Sequence, residues 1–165
     1  MSVLSSRCPV PPEQLPLNQY QDMGESWFYR LGKCTQWSYY KPLFILWCVS
    51  WVVAGPVAAS SYAPAKAPIS FAIWATIGAL VGPLLVLLQI YVGWSHVGQR
   101  LKLQALPYEE SGWYDGQVWI KPEEILNRDR LILTYEVQPV LRRVRNTVGI
   151  LLALGAALVT IWQFL

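Results

Sequence analysis

The chain has 165 residues, 54% of them hydrophobic and only 14% charged, against roughly 25% charged in an average soluble domain. The formal net charge is +3, and no Asp, Glu, Lys or Arg lies between Lys41 and Lys66 (24 residues), between Lys66 and Arg100 (33) or after Arg145 (20). About 20 apolar residues carry an α-helix across the hydrocarbon core of a bilayer, so three such runs exclude an ordinary soluble domain, a disordered chain and a disulfide scaffold. The expected fold class is an all-α membrane protein. It has three transmembrane helices, with a small cytoplasmic region (an aromatic hairpin plus an amphipathic helix) between helices two and three.

In chain order, residues 1–41 form a cytoplasmic N-terminal segment. Residues 8–19 hold four prolines and are expected to be extended and PPII-like. Ser26 reads as the N-cap of a short helix carrying Trp27, Leu31, Cys34 and Ser38 on one face, which lies in the membrane interface or packs as a cap on the cytoplasmic domain. The first span covers 42–62, with Pro42 in its first turn, where a missing N–H is no loss. A short loop at 63–68 leads to the second span, 69–97, which is long enough to tilt or to kink at Gly82-Pro83. Residues 98–145 return to the cytoplasmic side, and 146–165 form the third span. Trp37, Trp47, Trp94 and Trp162 fall near span ends, where an indole suits the membrane–water interface. Twelve of the thirteen Lys and Arg residues lie in 1–41 and 98–145, and Lys66 alone lies in the opposite loop. The positive-inside rule therefore places the N-terminus and 98–145 in the cytoplasm or stroma, and the C-terminus across the membrane.

Small residues recur at intervals of four in every span: Ser50, Ala54 and Ala58; Gly78 and Gly82; Gly149, Ala153 and Ala157. Lipid supplies no hydrophobic drive between helices, so such stripes are where backbones approach closely. Packing within the chain is the first reading, and a partner's helix is the second. Between spans two and three, Trp113 and Tyr114 lead into Asp115-Gly116 and then Val118 and Trp119. This is the signature of a two-residue type I′ hairpin that would set Trp113 opposite Val118. Pro122, with Glu123 and Glu124, opens the following helix. Leu131–Val137 also alternates like a strand.

The residues that could carry chemistry are few. Cys8, Cys34 and Cys48 make an odd set with neither CxxC nor metal-ligand spacing. The start of the chain has no apolar run, so no cleaved signal peptide is expected, and no lipoprotein lead-in precedes Cys8. Glu109, Glu110, Glu123, Glu124 and Asp129 read as a solvated charged face in preference to a metal or acid–base cluster. The single histidine, His96, could ligate chlorophyll or a haem iron, but one histidine makes no bis-histidine site. No metal and no cofactor are expected, chlorophyll being the one candidate. Gln89 calls for an interhelical hydrogen bond. Arg142, Arg143 and Arg145 suit lipid headgroups as well as topology. GxSxG, P-loop and GxGxxG motifs are absent, and no nucleic-acid partner is expected.

Particular strings carry a resemblance. CPVPPEQLPLNQYQ with ESWFYR, SWVVAGPVAA, YVGWSHV and above all YEESGWYDGQVWIKPEEILNRDRLILTYEVQPVLRR are similar to the cyanobacterial and plastid membrane-protein family known as hypothetical chloroplast reading frame thirty-six. Its nuclear-encoded members belong to the set conserved in the green lineage and diatoms. The resemblance covers Cys8 to about Arg143 and implies a photosynthetic organism and a thylakoid membrane; it brings no catalytic residues. The expected function is a non-enzymatic auxiliary or assembly factor for photosynthetic membrane complexes. Its partners would be membrane lipid and complex subunits, met through Trp113, Tyr114, Asp115, Gly116 and Trp119. The alternatives are a pigment-binding protein using His96 and a membrane enzyme acting on lipid or pigment through its acidic face.

Overall fold

The structure, a computed structural model, describes residues 9–108 and 117–164. The helices are α1 (Pro16–Glu25), α2 (Gln36–Ser61), α3 (Pro68–Lys102), α4 (Glu123–Ile132) and α5 (Gln138–Gln163), and two strands, β1 (Ala105–Tyr108) and β2 (Gln117–Ile120), pair between α3 and α4. Short 3₁₀ turns occupy Pro12–Gln14 and Tyr29–Lys33, and a π-turn at Leu133–Val137 joins α4 to α5. Three helical stretches, Gln36–Ser61, Pro68–Lys102 and Glu123–Gln163, are long and apolar enough to cross a membrane. The described residues fall into two compact units, one within Met1–Arg30 and Gly93–Leu141, the other within Leu31–Val92 and Arg142–Leu165.

The second unit is built on α2, α3 and α5. Apolar side chains line its outside: Phe44, Val52, Val53, Val57, Leu85 and Ile150 are all exposed. Leu43, Ala58, Ala75, Ala79, Leu80 and Leu87 fill the inside. Small residues let α2 and α3 meet. A Cβ on Gly78 would lie 3.1 Å from the Ala54 methyl, and one on Gly82 would collide with the Ser50 hydroxyl, which itself donates to the Leu46 carbonyl (2.8 Å). The last residues of α5 reach the end of α2. Tyr62 stacks on Trp74 (6.4 Å, 2°), and Trp162 meets both rings edge-on at 6.3 and 5.5 Å.

The first unit packs α1, the 3₁₀ turn, the end of α3, the hairpin and α4. Trp94, Val97, Leu101, Leu106, Leu126 and Val137 are buried in it. Gly93 is required by close approach: a Cβ there would sit 2.5 Å from Tyr29 Cε1 and 3.1 Å from Met23 Cε. On the facing side, Gly98 receives Leu133 and Val137.

Several expectations are corrected. Residues 9–19 are not one extended run: Pro11 keeps a PPII-like conformation (φ −52°, ψ 142°), but Pro12 starts a 3₁₀ turn and Pro16 starts α1, since a ring with φ near −65° fits a first helical turn as well as PPII. Ser26 ends α1 as its C-cap, its N–H bonding Asp22 O (3.0 Å), and caps no helix N-terminus. Pro42 lies inside α2, which starts six residues earlier at Gln36. Leu131–Val137 is helical: it holds the end of α4 and the π-turn. Pro139 follows directly and cannot donate to the residue four before it, a conflict that the widened turn absorbs. Trp94 is no interfacial anchor; it is fully buried and its indole N–H donates to Tyr29 O (3.1 Å).

Candidate functional site

The hairpin takes its register from burial. Leu106 pairs with Trp119, Pro107 with Val118, Tyr108 with Gln117 and Ala105 with Ile120. Directly opposed residues share a face. Leu106 and Tyr108 are buried with Val10, and Trp119 and Leu15 pack on that cluster; the Tyr108 hydroxyl lies 2.6 Å from Gln117 Oε1. Val118 therefore pairs with Pro107 and not with Trp113. A one-residue slip would turn Leu106 and Tyr108 out to solvent, so the buried cluster holds this register. Trp113, Tyr114, Asp115 and Gly116, with Glu109 and Glu110, lie outside the described residues. Trp119 is half-buried, packed on the inner cluster. The other face carries Ala105, Pro107, Val118 and Ile120, all exposed, with Val118 at 60% and Ile120 at 75%. This apolar outer face is the surface that sequence reasoning missed. The alternation of β2 could have found it, had the partner strand been recognised.

An ion pair anchors the hairpin. Lys121 Nζ lies 2.8 Å from Asp129 Oδ2, with side-chain exposures of 0% and 1%. The same ammonium donates to Arg100 O (3.0 Å) and Leu101 O (3.4 Å), where the last carbonyls of α3 favour a cation. The Lys121 N–H also reaches Gln104 O (2.9 Å). Asp129 is thus a buried counter-ion and no part of a solvated acidic face, whereas Glu123 and Glu124 are exposed. Among the described residues, no three His, Cys, Asp or Glu side chains come together as a metal site.

In the second unit, Arg143 turns inward. Its guanidinium donates to Cys34 O and reaches Gly32 O (3.5 Å), and it lies 5.6 Å from the centre of the Tyr39 ring. Tyr39 is fully buried and its hydroxyl bonds Thr147 Oγ1 (3.2 Å), which bonds Arg143 O (3.0 Å). This corrects the reading of Arg143 as a headgroup contact: the spacing of three arginines on a helix does not show that a chain segment supplies carbonyls to one of them. Arg142 and Arg145 are exposed. The stripes divide. Ser50, Ala54, Gly78 and Gly82 meet between α2 and α3, and Ala58 is buried. In contrast, Gly149, Ala153 and Ala157 face outward, with nothing within 4 Å of a Cβ on Gly149, so the internal reading does not hold for α5. His96 is exposed on α3.

The described residues define a mostly helical protein with three helices long and apolar enough to span a membrane and a small paired hairpin. Its sequence places it more closely. The chain belongs to the CGLD27-like family, described as conserved in the green lineage and diatoms 27, whose profile matches residues 8–150. It is 39% identical over 151 residues to the uncharacterized protein ycf36 of Porphyra purpurea, covering 92% of each chain. It is 37% identical to that of Cyanophora paradoxa, covering 92% of this chain and 96% of the other. It is 44% identical to the chloroplastic protein "conserved in the green lineage and diatoms 27" of Arabidopsis thaliana, over 94% of this chain and 47% of that protein. No solved structure matches the chain.

Proposed function

We propose that the protein is a non-enzymatic integral membrane auxiliary or assembly factor for a photosynthetic complex, acting in the thylakoid membrane. The observation that carries the reading is the outer face of the hairpin. Val118 and Ile120 are exposed on strands fixed from behind by a buried cluster and a buried ion pair. A rigid apolar patch is what a partner surface needs, because little entropy is lost on binding. The chloroplastic and plastid names among its relatives support the compartment. The exposed apolar side chains of α2, α3 and α5 support membrane insertion. Twelve basic residues against one favour a cytoplasmic or stromal hairpin and a C-terminus across the membrane.

The test is a gentle-detergent pull-down of tagged protein from native membranes, with mass spectrometry and an absorption spectrum of the eluate. Wild type is expected to bring down subunits of one photosynthetic complex, and a Val118→Ser/Ile120→Ser variant is expected to insert normally yet lose them. Equal recovery by both proteins refutes the hairpin as the docking face. A protein that elutes alone but coloured, and loses its colour in His96→Ala, replaces this reading with pigment binding.

A further inference from the structure

The second unit contains a groove with a polar end and an apolar end. Trp37, Ser38, Tyr40 and Lys41 border the polar end. Tyr40 and Phe44 also line an apolar trough of about 440 Å³ that continues along Leu43 and Trp47 of α2, Leu80 and Pro83 of α3, and Leu151 and Leu154 of α5. That volume lies within the roughly 300–1,000 Å³ typical of ligand sites.

The charge of the unit specifies what fits. It contains six Lys and Arg residues (Lys33, Lys41, Lys66, Arg142, Arg143 and Arg145) and no Asp or Glu. The exposed Lys41 ammonium therefore has no carboxylate counter-ion within its own unit.

We propose that this groove is a binding site for one anionic glycerolipid of the bilayer. Lys41, with the Ser38 and Tyr40 hydroxyls, holds the acidic headgroup. An acyl chain lies in the trough between α2, α3 and α5. The proposal rests on the membrane reading above but not on the hairpin.

The test uses the full chain in mild detergent, titrated with phosphatidylglycerol or phosphatidylcholine and read by native mass spectrometry. One phosphatidylglycerol is expected to be retained in preference to phosphatidylcholine. Lys41→Gln is expected to weaken it about fivefold, the usual effect of one basic residue on an anionic lipid. Arg145→Gln, outside the groove, leaves binding unchanged. Equal binding of the two lipids, or equal loss in Lys41→Gln and Arg145→Gln, overturns the site. Thermal midpoints of the variants separate lost binding from lost folding. Release of wild type from native membranes by alkaline carbonate would instead refute the membrane reading itself.

Discussion

Replacing Asp129 by Ala removes the partner of a fully buried ammonium while leaving that ammonium in place. Lys121 Nζ sits 2.8 Å from Asp129 Oδ2 and keeps only the Arg100 and Leu101 carbonyls as acceptors. Two neutral acceptors do not compensate a desolvated charge, so the expected loss is about 3–5 kcal/mol, the range for breaking a buried pair from one side. For a chain of this size that corresponds to roughly 6–20 °C in thermal midpoint. Lys121→Met is expected to cost less, because Arg128 lies 3.5 Å from Asp129 Oδ1 and is itself 44% exposed. The double variant Lys121→Met/Asp129→Leu removes both charges. It is expected to recover at least half of the Asp129→Ala loss, falling short of wild type by the one or two carbonyl bonds given up, about 1–2 kcal/mol. Thermal unfolding of wild type, Asp129→Ala and the cycle of Lys121→Met, Asp129→Leu and their double variant in one detergent, with amide exchange in α4 as the local readout, gives the coupling. An Asp129→Ala loss under 1 kcal/mol, or a double variant as damaged as the sum of its singles, would refute the argument.

Two further predictions concern the second unit. Gly82→Ala places a methyl on the Ser50 hydroxyl and is expected to lose about 1–3 kcal/mol by overpacking; Gly55→Ala, with nothing within 4 Å, is expected to be neutral or to gain up to about 1 kcal/mol. Equal thermal midpoints would mean that α2 and α3 do not meet at Gly82. Arg143→Lys gives up the fork on Cys34 O and Gly32 O and the guanidinium plane beside Tyr39. A loss of about 1–2 kcal/mol is expected, against almost none for the exposed Arg142→Lys, and similar midpoints for the two would show that Arg143 serves only as surface charge.

What could be read from the sequence was whatever depends on local spacing. Charge-free runs mark the three long apolar helices, four-residue spacing marks Ser50, Ala54, Gly78 and Gly82 as contact positions, and Pro122 with Glu123 and Glu124 marks the start of α4. What escaped depends on distant partners. Pro12 and Pro16 carry the same φ in an extended run as in a first helical turn, so composition alone does not separate the two. The burial of Trp94 depends on a carbonyl 65 residues away, and that of Asp129 on a lysine across the β2–α4 junction. The partner of β2 escaped because the alternation next to Asp115-Gly116 is a strong local signal, while the cluster that holds β1 against it, Val10 with Leu106 and Tyr108, draws on the other end of the chain.

The π-turn at Leu133–Val137 bears on how much length the chain can tolerate there. Asp129 and Val137 are both buried although eight residues apart, and at about 100° per residue an unbroken α-helix would set them roughly 80° out of phase. The wider turn takes up one residue's worth of rotation, so Val137 returns to the side that Asp129 occupies. A chain one residue shorter between Leu133 and Val137 would bring the same side chains into line as a plain helix. The same deletion in α3 between Trp94 and Gly98 would turn the two by about 100° relative to each other and take one of them off its contacts.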